Sequence, residues 1–245
     1  MKPLLTLLIL VFTQALFPQA KPLIDDTLIP VHDPVIIRQD STYYIFCTGQ
    51  GISVFSSPDM KHWKQEKKIF DKPPGWAVKA IPGFSGHVWA PDISFHNDLY
   101  YLFYSVSAFG KNTSCIGLVT NKTLDPSSAD FKWTDHGKVI QSVPGRDMWN
   151  AIDPNLIMDE NKTPWLVFGS FWKGMKMVKL GNDLTSIAQP ESWYTVASRK
   201  RNYILPDSVA GDAAIERLLS INMKIFITYS FPLIIAAGVK KAPTR

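Results

Sequence analysis

The chain has 245 residues, of which 46% are hydrophobic and 12% aromatic, so it can bury a core in one or two domains and is too apolar for a disordered protein. Its net charge of +5 does not mark a polyanion binder, because residues 217–245 hold Arg217, Lys224, Lys240, Lys241 and Arg245 with no acid, and 5 − 5 leaves zero for residues 1–216. The body of the chain therefore gives no support to a nucleic-acid partner.

The N-terminus reads as a secretory signal peptide over residues 1–20: one positive charge at Lys2, an apolar run from Pro3 to Phe17, then Pro18-Gln19-Ala20. That run is shorter than the roughly 20 residues a bilayer span needs. Export to the medium or the periplasm, with no membrane association after cleavage, is the expectation. Near the other end, Ile225 to Val239 is apolar but is interrupted by Tyr229, Ser230 and Pro232, and does not read as a span. Cys47 and Cys115 could pair in an oxidising compartment. Each lies in an apolar, strand-like run, so both are expected buried and unpaired.

A repeat of about sixty residues organises the chain. Its openings are His32-Asp33-Pro34-Val35-Ile36-Ile37, Ala90-Pro91-Asp92-Ile93-Ser94-Phe95, Ile152-Asp153-Pro154-Asn155-Leu156-Ile157 and Ala214-Ile215-Glu216, with the acids 59, 61 and 63 residues apart. After a short polar turn the first three lead into Tyr43-Tyr44-Ile45-Phe46, Tyr100-Tyr101-Leu102-Phe103-Tyr104 and Trp165-Leu166-Val167-Phe168. Each is a strand signal. Turn-rich segments such as Ser56-Ser57-Pro58-Asp59 separate them, and no sustained 3.6-residue period appears. The reading is an all-β chain with several short strands per repeat, arranged radially as a β-propeller. Equivalent acids would then meet at one axis.

Hydrolysing a glycosidic bond with inversion needs one protonated carboxyl group for the leaving oxygen and one carboxylate to activate water on the opposite face. Asp33, Asp153 and Glu216 occupy equivalent repeat positions among apolar residues, where desolvation would shift a carboxyl pKa. The structural alternative is that Asp-Pro only starts a strand. Asp92, which shares the pattern, reads that way, while Trp89-Ala90-Pro91 beside it reads as a wall of a sugar site. His32, His62, His87, His96 and His136 show no close metal-ligand spacing, and His32 is placed to orient Asp33. Asn112, Asn121 and Asn161 begin N-x-S/T sequons, relevant in a glycosylating host. Neither a Gly-rich phosphate loop nor a Gly-x-Ser-x-Gly elbow is present.

At this point the strings Val31-His32-Asp33-Pro34, His87-Val88-Trp89-Ala90-Pro91-Asp92, Asn150-Ala151-Ile152-Asp153-Pro154-Asn155, Gly169-Ser170-Phe171-Trp172 and Ala214-Ile215-Glu216 resemble glycoside hydrolase family 43, and within it the endo-1,5-α-L-arabinanases. The likeness covers residues 31–216 in order. It implies a five-bladed β-propeller, of which three blades and the start of a fourth are present, and an inverting hydrolase of α-1,5-linked arabinofuranose chains. It implies Asp33 as general base, Glu216 as general acid and Asp153 as the group that orients the acid and raises its pKa. It further implies sugar contacts from Asn150, Ala151, Ile152, Ser170, Phe171 and Trp172, stacking on Trp89 and Phe109, and a hydrogen-bonding neighbour in Asn112. Apolar sugar faces pack on aromatic rings while hydroxyls need a few placed polar groups. Two other readings stay open: an exo-acting arabinofuranosidase or β-xylosidase of the same family, and a non-catalytic carbohydrate-binding fragment.

After Glu216 the family pattern would continue with Ala-Pro-Phe and another Tyr-rich strand, but the chain reads Arg217-Leu218-Leu219-Ser220-Ile221. Codons permitted for residues 217–245 can be read in a second register that restores the pattern. The expectation is a shifted reading frame after Glu216, giving a partial propeller over residues 21–216, a divergent tail over 217–245, and impaired activity. The resemblance also implies a calcium ion on the channel axis of a full-length relative, held partly by a histidine of the last blade. No metal or other cofactor is therefore expected in this chain. The expected partner is arabinan or its oligosaccharides, bound by a monomer.

Overall fold

A computed structural model describes residues 28–202, 204–211, 214–215, 218–221 and 225–228. The expected signal peptide, the acid Glu216 and most of the tail lie outside them. The described chain is all-β apart from one short helix. The first sheet joins β1 (Val35–Gln39), β2 (Thr42–Cys47), β4 (Ser53–Ser57) and β5 (Lys64–Gln65) in that order, β3 (Gly49–Gln50) having left it to pair elsewhere. The second runs β3, β6 (His87–His96), β7 (Leu99–Ser107), β8 (Ser114–Asn121), β9 (Thr134–Ser142). The third runs β10 (Asn155–Met158), β11 (Pro164–Phe168), β12 (Met175–Lys179), β13 (Trp193–Ala197). A hairpin of β14 (Leu218–Ile221) and β15 (Ile225–Thr228) follows.

The hairpins form where the sequence offers residues tolerant of positive φ. Between β6 and β7, His96 pairs with Leu99, and the two-residue loop Asn97-Asp98 has φ of 47° and 59°, the mirror-image turn whose twist suits antiparallel strands. Between β1 and β2, Gln39 pairs with Thr42 and Asp40 takes φ of 52°. The longer turn after β10 is organised by Asp159, whose Oδ1 accepts from the Asn161 and Thr163 amides at 2.8 Å each.

Each sheet's opening strand lies beside the next one's: β1 beside β6, β6 beside β10, β10 beside β14. The core consequently falls into two layers. Residues alternate faces along a strand, so on β7 Tyr100, Leu102, Tyr104 and Val106 join Tyr44, Phe46 and Val54 of the first sheet, while Tyr101 and Phe103 join Leu156, Leu166, Phe168 and Val178 of the third. β8 divides in the same way, Cys115 and Val119 to one layer and Ile116 and Leu118 to the other. The middle sheet is therefore apolar on both faces. Cys47 and Cys115 are buried free thiols; desolvation raises the pKa of both, Cys115 to about 11.

Polar side chains fix one sheet against the next. Asp92, 5% exposed, accepts from Asn155 Nδ2 at 3.0 Å and from the Leu156 amide at 2.9 Å, tying β6 to β10. Gln39 Nε2 donates to Thr123 Oγ1 at 3.0 Å, and its Oε1 accepts from the Leu124 amide at 2.6 Å. The helix α1 (Gly75–Ala80) packs on β8 and β9, where Trp76 Nε1 and the Tyr104 hydroxyl both donate to Asp135, at 3.2 and 3.3 Å. Among the described residues no helix is long and apolar enough to cross a membrane.

Candidate active site

A left-handed residue that precedes a proline stands just before β1 and β10, as Asp33 (φ 48°) and Asp153 (φ 55°), and near the start of β6, as Ala90 (φ 38°). Pre-proline residues favour extended backbone, and a non-glycine residue held left-handed costs about 1–3 kcal/mol. Three recurrences show that the surroundings impose it. They also correct the repeat register: the structural counterpart of Asp33 and Asp153 is Ala90, not Asp92. Pro91, which has no amide proton, coincides with a bulge between Trp89 and Asp92 in the β6–β7 register. This leaves Asp92 inside, as the bridge to β10.

Asp33 accepts at Oδ2 from His32 Nδ1 at 2.7 Å and from Thr48 Oγ1 at 2.8 Å. Thr48 Oγ1 in turn accepts from the Ala90 amide at 2.8 Å. One hydroxyl thus joins Asp33 to the second sheet. The Asp33 side chain is 38% exposed, so the desolvating surroundings expected for it are not found; water reaches the carboxylate.

Asp153 is half-buried, and its amide donates to Ser105 Oγ at 2.9 Å. The residues before it are held by two more serines. Ala151 N donates to Ser114 Oγ at 2.9 Å and to Ser142 Oγ at 3.1 Å; Ser114 also hydrogen-bonds Asn150 Oδ1. The Ser142 hydroxyl reaches the Asn112 carbonyl at 2.6 Å. Gly169 closes the assembly: its amide donates to Ile152 O at 2.7 Å, and a Cβ there would lie 3.2 Å from Gly174 O and 3.3 Å from Asn150 O, at φ of 107°. Only glycine fits comfortably. The strings beginning at Asn150 and at Gly169 therefore meet.

The remaining site residues divide. Trp89 is half-buried beside exposed His87, to which its Nε1 donates at 3.0 Å, and Phe109 is 94% exposed; both rings can be reached from solvent. Trp172 is corrected. It is 1% exposed, takes φ of 43° and donates through Nε1 to Asp207 O at 2.8 Å. Its ring offers no face to a sugar and instead anchors the segment that leads towards Glu216. Asn112, 1% exposed, spends Nδ2 on Asp147 O at 2.7 Å. Ala151, Ile152 and Ser170 are buried as well, while Phe171 is half-buried at φ of 56°. The hydroxyls Thr48, Ser105, Ser114 and Ser142 went unnoticed in the sequence. A signal existed for two of them: Thr48 and Ser105 both follow the aromatic strand of their repeat. Among the described residues no group of three or more His, Cys, Asp or Glu could hold a metal ion.

Known proteins resemble this arrangement. An extracellular exo-α-(1→5)-L-arabinofuranosidase of Cellvibrio japonicus is 52% identical over 188 residues, covering 77% of this chain and 54% of that protein. An extracellular endo-α-(1→5)-L-arabinanase of Bacillus subtilis is 40% identical over 176 residues, covering 70% and 52%. The chain spans about half the length of these curated relatives. Among solved structures, the α-L-arabinanase of Cellvibrio cellulosa superposes with a TM-score of 0.77 at 50% identity, covering 79% of this chain and 62% of that one. The same enzyme complexed with arabinohexaose gives 0.74 at 51% identity, covering 76% and 59%. Residues 28–230 match the family described as glycosyl hydrolases family 43, a match that runs past Glu216, where the sequence pattern was read as stopping. On that match the chain is a member of glycosyl hydrolases family 43.

Proposed function

We propose that the protein is the catalytic part of an inverting glycoside hydrolase that cleaves α-1,5-linked arabinofuranose chains, with Asp33 as general base, Glu216 as general acid and Asp153 as the group that orients the acid. One observation carries this reading: Asp33 and Asp153 lead into β1 and β10, the opening strands on either side of β6, in the same left-handed, pre-proline conformation, as two acids of one radial assembly should. The hydrogen bonds from His32 and Thr48 both fall on Asp33 Oδ2, and Oδ1 on this half-exposed side chain is then the oxygen to take a proton from the attacking water. Trp89 and Phe109 supply rings for sugar faces. The proposed architecture is a five-bladed propeller, three blades of it in the three sheets and a fourth begun at Ala214-Ile215-Glu216. Relatives named extracellular support secretion through the leader at residues 1–20, leaving a partial propeller over 21–216 and a frame-shifted tail over 217–245. Sequencing the coding DNA through codon 216 tests that last point: a second register open for two further blades is expected, and unrelated downstream sequence refutes it.

The direct test is incubation of the full chain with linear 1,5-arabinan, following new reducing ends and their anomeric configuration by proton NMR. Product of inverted configuration is expected, with Asp33→Ala slowing its release by about 10²–10⁴-fold, the range for loss of a general base. Retained configuration, or an active Asp33→Ala protein, removes the assignment. A second reading, exo action, is favoured by the naming of the Cellvibrio japonicus relative; arabinose as the sole early product supports it, and a ladder of oligosaccharides supports endo action.

A further inference from the structure

Three serines on consecutive strands, Ser105 on β7, Ser114 on β8 and Ser142 on β9, are each fully buried and all turn their hydroxyls to the segment Asn150–Asp153. A buried hydroxyl must be satisfied, and valine or alanine would pack these strands without that demand. The first sheet shows the same device in simpler form. Thr48 follows its second strand and accepts from the amide of left-handed Ala90, as Ser105 accepts from the amide of left-handed Asp153. In both repeats a hydroxyl catches the strained residue that opens the next sheet.

We propose that Ser105, with Ser114 and Ser142 behind it, is a positioning residue that sets the backbone of Asp153, and so the direction of its carboxylate, for the reaction proposed above. The inference rests on that reading for its catalytic part and on geometry alone for its structural part. Ser105 touches no reacting atom. It holds the Asp153 amide while the residue keeps its left-handed conformation, and without it the pre-proline residue relaxes towards extended backbone.

The test uses the full chain with Ser105→Ala, Ser105→Thr and Ser114→Ala. Threonine is the informative rescue because Thr48 already fills this role in the first repeat. Amide hydrogen exchange should accelerate about tenfold at Asp153 in Ser105→Ala, as loss of one hydrogen bond implies, and at Ala151 in Ser114→Ala. Protection within β7 and β8 should not change, and Ser105→Thr should restore the wild-type rate. Turnover of linear 1,5-arabinan should fall about tenfold or more in kcat for Ser105→Ala with KM within twofold, again rescued by threonine. Unchanged exchange at Asp153, or an equal rise throughout β7 and β8, overturns the proposal, as does wild-type kcat in Ser105→Ala. A wild-type chain that cleaves no arabinan refutes the functional reading for this chain instead, and the exchange data then decide whether the clasp exists.

Discussion

At the scale of single residues, backbone strain and hydroxyl chemistry occur together. Asp33, Ala90 and Asp153 hold a conformation that neither their side chains nor the following proline prefers, and each is pinned through a threonine or serine hydroxyl. The two cysteines show the opposite environment. Burial raises both thiol pKa values, Cys115 to about 11, and the thiolate is the reactive form. Neither should react with a thiol reagent at pH 8 in the native protein, and both should react within minutes in denaturant. A native titration of Cys115 by absorbance, read in a Cys47→Ser background, would show that the layer between the first two sheets is open.

Among the elements, β7 and β8 belong to both core layers and leave no room to vary. A Cβ on Gly117 would lie 2.5 Å from Tyr104 Cζ and 2.7 Å from Trp76 Cζ2, rings that are also tied through Asp135. Gly117→Val should therefore destabilise the protein by about 3 kcal/mol or more, at the upper end of overpacking costs. Asp92 makes the matching prediction for the joint between β6 and β10. Asp92→Ala removes two buried hydrogen bonds between β6 and β10, a loss of about 1–3 kcal/mol. Urea unfolding measures both; the midpoint should move while the slope stays constant. An Asp92→Ala protein of wild-type stability would mean that apolar packing alone holds these sheets together.

For the molecule as a whole, the shifted groups define a stability plateau. Asp125, Asp159 and Asp183 are held below their ordinary value of 3.8, Asp125 and Asp159 chiefly by backbone amides and Asp183 by Thr185. A depressed carboxyl pKa contributes stability that is complete above 3.8 and is lost as pH falls through the folded value. His96, lowered by burial from 6.5, must be charged at a cost below that pH, so it acts in the same direction. The thiols act at the other end, raised from 9.0; their contribution is present below 9.0 and declines as pH rises towards the folded values. The melting temperature should be level from about pH 6.5 to 9 and fall on either side. A steady rise through that window, followed by calorimetry, contradicts the assignment.

The sequence alone determined the all-β class and the sixty-residue repeat, because strand patterning, turn chemistry and strand openings are local signals. It also determined the family through five short strings in order. Tertiary structure decided the rest. It placed Ala90 rather than Asp92 in register with Asp33 and Asp153, because the position is fixed by the left-handed residue before proline and by a bulge, neither of which a letter code shows. It buried Trp172 under Asp207 and left Asp33 exposed to water, since the burial of a side chain depends on what packs over it. The hydroxyls of Thr48 and Ser105 recur after the aromatic strands of their repeats, but their role arose only when folding brought them to amides 42 and 48 residues away, for a hydrogen bond between distant residues exists only once the sheets stand side by side.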